Sequence, residues 1–152
     1  MCVWNVNFIV YICYMNTIRE ITDLADKRLR EAELLHANGM EEGALYLAGY
    51  VIEMMFKAKI CKTLDIENFY VRPIKTGKQA FFTHDLDQLL TLSGLRTVFD
   101  QEILTNQVLA DSWKDICNWS EERRYISVVT HSEVAVFLSS LKIFLIWFHQ
   151  NW

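Results

Sequence analysis

Proline and glycine are scarce in this chain, with one proline and five glycines in 152 residues. Turn-rich β architectures draw on both, so their shortage points to helices. Cysteine is sparse and poorly spaced for chemistry. Cys2, Cys13, Cys61 and Cys117 form no Cys-x-x-Cys pair, which argues against a disulfide framework and against a cysteine zinc site. A reducing cytoplasm is the expected location. The four histidines lie far apart, none at ligand spacing from another, so neither a metal nor a cofactor is expected. The P-loop, the glycine-rich dinucleotide turn, the Gly-x-Ser-x-Gly elbow, the His-Glu-x-x-His helix and the EF-hand loop are all missing, and with them the activities those motifs announce. Positive charge is also short. The net charge of −4 argues against a protein that simply coats nucleic acid.

What is present is apolar surface. Hydrophobic residues make up 52% of the chain and charged residues 22%, enough for one domain with a substantial core. Met1 to Tyr14 is almost wholly apolar and uncharged, with Trp4, Val6, Phe8, Val10 and Ile12 alternating as in a strand. It is too short to span a bilayer as a helix and lacks the basic flank and cleavage site of a signal peptide, so no membrane association is expected. A second methionine, Met15, precedes a good helix start. The division expected is an apolar extension over 1–14 and a helical bundle domain over 15–152.

Helix signals fill that domain. Thr17 with Glu20, and Thr130 with Glu133, are capping boxes, in which the threonine side chain caps the helix and the glutamate three residues on reaches back. The first opens a helix closed by Asn38-Gly39; the second opens a last helix with Val134, Phe137, Leu138, Leu141, Phe144, Leu145 and Phe148 inward. Between them the spacing predicts a helix over about 41–62, another capped by Thr83, and a fourth stretch from about Thr97 that breaks near Thr105-Asn106. Residues 63 to 82 form a long connection holding Pro73 and Gly77. The expected fold is all-α, an up-and-down bundle of about five helices.

Two groups of residues carry candidate chemistry. The second helix is apolar almost all round, which means other helices must surround it, yet it keeps Glu53 and Lys57 one turn apart in the favourable order for an ion pair. Glu53 is expected to be buried against a basic partner, Lys57 or Arg124. The segment from Lys57 to Lys78 holds six basic and two acidic residues, a local +4 against −8 elsewhere, which is either a solvated helix end and loop or a phosphate-facing patch. Six residues separate Arg124 from His131. The capping box puts His131 at the first position of the last helix, whose positive end disfavours an imidazolium. A neutral histidine there suits a general base, and an arginine nearby suits a phosphate held bidentately.

The run from Ala44 to Ala58, with Glu53 and Lys57 in it, then His84-Asp85-Leu86, then Trp119 to Tyr125, resembles HEPN domains over about residues 17 to 150. That resemblance implies a bundle of four to five helices that commonly dimerises. It also implies work in a toxin–antitoxin or defence system, often beside a minimal nucleotidyltransferase partner. Active members of the family are metal-independent endoribonucleases with an arginine and a histidine separated by four to six residues. By that likeness Arg124 and His131 are the candidate catalytic pair, and Glu53, Lys57, His84 and Asp85 the candidate ligand-binding set. Tyr125 departs from the polar residue usual after the arginine. Three readings stand: a homodimeric module that binds a nucleotide, RNA or a protein; an RNA-cleaving enzyme; and a non-catalytic scaffold that docks a protein partner.

Overall fold

The computed structural model describes residues 17–67, 69 and 83–152. The strand-like stretch within residues 1–14, together with Pro73 and Gly77, lies outside them. The described residues form an all-α bundle of six helices: α1 (Ile18–Ala37), α2 (Glu41–Thr63), α3 (Leu86–Leu92), α4 (Arg96–Glu102), α5 (Gln107–Ile116) and α6 (His131–Gln150). A 3-10 turn, Glu121–Tyr125, precedes α6.

Both capping boxes form. The Glu20 amide donates to the Thr17 hydroxyl, and the Thr17 amide to the Glu20 carboxylate; Thr130 and Glu133 repeat the exchange. Each box satisfies two amides that a helix start otherwise leaves without partners. After α1 the chain reverses through Asn38–Met40, where Gly39 takes a φ of +71°, a conformation glycine adopts without steric cost. Helices α1 and α2 then pack along their lengths as an antiparallel pair. The fully buried Ala25, Ala32, Ala44 and Ala48 let their backbones approach closely.

One boundary differs from the sequence expectation, and the break expected near Thr105-Asn106 is present. Asp85, not Thr83, caps α3: its carboxylate accepts from the amides of Asp87 and Gln88, while the Thr83 hydroxyl accepts from the Asp85 amide. Burial of Leu86, Leu89 and Leu90 sets that register. The fourth stretch is two helices, α4 and α5, divided where Asn106 caps α5 by accepting from the Leu109 amide.

Helix α2 is the central element, in contact with α1, α3, α6 and the 3-10 turn. Its Phe56 meets Trp113 of α5 and Phe144 and Phe148 of α6 edge to face, with ring centroids 5.7–6.2 Å apart, the geometry aromatic rings prefer. All seven α6 residues expected inward are buried, and Trp147 joins them. By length and composition α6 is apolar enough to cross a membrane, yet half of it is buried inside the bundle.

Candidate functional site

Tyr46, Tyr50, Glu53 and Lys57 recur along α2 at spacings of four, three and four, so they form one stripe down the helix. Glu53 is 3% exposed and Lys57 5%. The Lys57 Nζ donates to Glu53 Oε1 at 2.5 Å, and His84 Nδ1 lies 2.9 Å from Glu53 Oε2. The carboxylate thus has a partner on each oxygen, which a buried charge requires. Lys57 is one expected partner of Glu53; Arg124, the other, is elsewhere, and His84 takes the second oxygen. Tyr50 and His84 meet edge to face at 6.4 Å, and Ile21, Leu24 and Met54 complete a cleft of about 160 Å³ over these groups. Burial, then the hydrogen bond between its hydroxyl and that of Tyr46 at 3.2 Å, pushes the Tyr50 phenol far above its ordinary pKa. Asp85 is turned away to its capping role, so it does not join Glu53, Lys57 and His84. With its ammonium committed to Glu53, Lys57 is poorly placed to hold a phosphate.

Trp119 closes this stripe from below. Its indole meets Tyr50 edge to face at 5.0 Å and lies so close to Gly49 that a Cβ there would fall 1.9–2.1 Å from three indole atoms. A glycine in mid-helix costs stability; here the close approach of the indole requires it.

Arg124 and His131 lie apart from Glu53. Arg124, exposed on the 3-10 turn, has its guanidinium 4.8 Å from the Tyr125 ring centroid and interacts electrostatically with Tyr125 and Tyr46. His131, at the first position of α6 as expected, places Nδ1 2.6 Å from Glu41 Oε1. Both residues therefore lean on the first half of α2. Their neighbours on it, Tyr46 and Glu41, are five residues apart, about 7.5 Å along the axis and about 140° around it.

Glu41 was invisible as a site residue in the sequence, and so was His36. His36 Nδ1 lies 2.7 Å from Glu41 Oε2, and its ring stacks on that of His131, centroids 4.1 Å apart and planes 20° from parallel. One carboxylate, 7% exposed, thus accepts from two imidazoles. The hydrogen bond from His36 is the largest influence holding its acid below the ordinary glutamate range, with that from His131 acting the same way. An ionised carboxylate only accepts, so both Nδ1 atoms are donors. The one sequence signal was the end of α1 followed by a tight turn, which brings His36 and Glu41 together; no local pattern links either to His131. Comparison with family models, curated proteins and solved structures finds no match to this chain.

Proposed function

We propose that this chain is a HEPN-like module whose surface around Arg124 and His131 engages RNA through its phosphodiester backbone. The observation that carries the reading is the hydrogen bond from His131 to Glu41. An imidazole held at Nδ1 by a largely buried carboxylate presents Nε2 in one fixed orientation, while its side chain stays 72% exposed and open to a large ligand. Arg124 adds a permanent charge and a planar set of donors suited to phosphate. So small a set of phosphate-binding groups fits a chain of net charge −4, in which recognition is local rather than a field over the whole surface.

The same hydrogen bond favours a second reading, cleavage of the bound RNA without metal. His131 Nε2 would take the proton of a 2′-hydroxyl, that oxygen would attack the adjacent phosphorus, and the 5′-oxygen would leave with a proton from solvent, giving a 2′,3′-cyclic phosphate and a 5′-hydroxyl. Arg124 would steady the charge gathering on the phosphorane. A homodimer would set two such faces about a two-fold axis. Val136, Ile143 and Ile146 support one, since they are 49%, 36% and 63% exposed at spacings of seven and three on α6, an apolar seam on its outer face. A nucleotidyltransferase is the heterologous partner that the resemblance implies, and a protein-docking scaffold is the reading left if RNA is not bound.

The test uses a labelled single-stranded RNA in low salt with chelator present, read by fluorescence anisotropy and by gel. Binding should weaken as salt rises, and Arg124→Ala should lower the slope of log affinity against log salt by about 0.7 for each phosphate the variant no longer neutralises. If cleavage occurs, His131→Ala should slow it by roughly 10²–10⁴-fold with helicity unchanged. RNA neither bound nor cut at high protein excess would overturn both readings and leave the scaffold.

A further inference from the structure

We propose that His36, Glu41 and His131 form a binding site for a zinc-class divalent cation. The three residues come from three elements, the last turn of α1 and the first residues of α2 and α6, and each brings one donor atom within 4.8 Å of the other two. Two imidazole nitrogens and a carboxylate oxygen suit zinc, cobalt(II) or nickel(II) better than magnesium or calcium, which prefer oxygen alone. Three protein donors with a fourth position open is the pattern of a zinc site that keeps a solvent molecule.

The rearrangement required is small. Donor atoms about 2.0–2.1 Å from a tetrahedral ion stand about 3.3 Å from one another; the two Nδ1 atoms now stand 2.7 and 2.6 Å from different oxygens of Glu41, Oε2 and Oε1, so the carboxylate must also turn to present its donor oxygen to the ion. Each imidazole would ligate through Nδ1 as a neutral ring that carries its proton on Nε2, and each separation would open by under about 1 Å. Solvent reaches the cluster: the His131 side chain is 72% exposed, and His36 also lines an open groove of about 320 Å³ between α1 and α6. The positive ends of α2 and α6 oppose a cation at this point, while the negative end of α1, which carries His36, favours it. The Glu41 charge is the larger effect, because it is a full unit in direct contact. The site does not depend on RNA binding; a cation on His131 Nδ1 would leave the ring proton on Nε2 and so block that histidine as a base.

The experiment is a cobalt(II) titration of the full chain followed by visible absorption. One cobalt per chain should give the d–d bands of a tetrahedral ion with no thiolate charge-transfer band, since no cysteine belongs to the set. Zinc should displace it. His36→Ala and His131→Ala should each weaken cobalt binding by at least about 10-fold with the far-ultraviolet dichroism unchanged. His36→Gln should do the same and guards against an alanine variant that fails to fold. His149→Ala, remote from the cluster, should bind as wild type. Binding that does not saturate at one per chain, binding that survives loss of both histidines, or a thiolate band would each overturn the assignment.

Discussion

Replacing Lys57 by methionine removes one charge from the most deeply buried ion pair in the described residues while keeping an unbranched chain of similar length. Glu53, 3% exposed, then retains only His84, 2.9 Å from Oε2, and its other oxygen loses the ammonium at 2.5 Å. Breaking one side of a buried pair costs about 3–5 kcal/mol, because the remaining charge is stranded away from water. For a domain of this size each kcal/mol moves the melting midpoint by about 2–4 °C, so Lys57→Met should melt about 6–20 °C lower. The double variant Glu53→Gln/Lys57→Met removes both charges, and its amide can still bond His84. It should recover most of the loss and lie within about 1–2 kcal/mol of wild type. Urea denaturation at neutral pH, followed by far-ultraviolet dichroism and tryptophan fluorescence, supplies both free energies and the coupling between the sites. A single variant less than about 1 kcal/mol destabilised would refute the reasoning. So would a double variant as unstable as the single one, because the loss would then be one of packing rather than of charge.

Gly49→Ala should destabilise the fold by about 1–3 kcal/mol, although alanine is intrinsically the better helix former by about 1 kcal/mol. The added methyl would fall 1.9–2.1 Å from the Trp119 indole, and a thermal melt showing a gain in stability would contradict that packing. Stability should also fall in acid through Glu41. Its acid is held below the ordinary range in the folded state, mainly by His36, so its contribution is complete above the unfolded value and lost as pH drops through the folded one. Glu41→Gln should therefore narrow its gap to wild type as pH falls below the ordinary glutamate range; a gap equal at neutral and acid pH would exclude the linkage.

Most helix boundaries were legible because the forces that set them act within one turn of the chain. The Thr17–Glu20 and Thr130–Glu133 boxes, the Asn38-Gly39 reversal and the break at Asn106 each depend on a side chain meeting a backbone group a few residues away. The Glu53–Lys57 pair was legible for the same reason, being one turn of a single helix, and the apolar surface around it required burial. The cap of α3 is ambiguous in sequence because Thr83 and Asp85 are both good caps two residues apart, and the choice lies with the tertiary burial of Leu86, Leu89 and Leu90.

The rest was decided between elements. Nothing near His84 in the sequence points to Glu53, nor anything near Arg124 to Tyr46 rather than to Glu53. Trp119 was recognisable as apolar but not as the residue that fills the gap at Gly49. The Glu41 cluster is the plainest case. His36 and His131 are 95 residues apart, and each alone reads as a helix-end histidine; only the packing of α1, α2 and α6 lays one ring over the other on a shared carboxylate. Sequence by itself determined which segments are helical and which stripe each must bury. The rotation and crossing of those helices, which depend on how all their side chains pack at once, determined which polar groups meet.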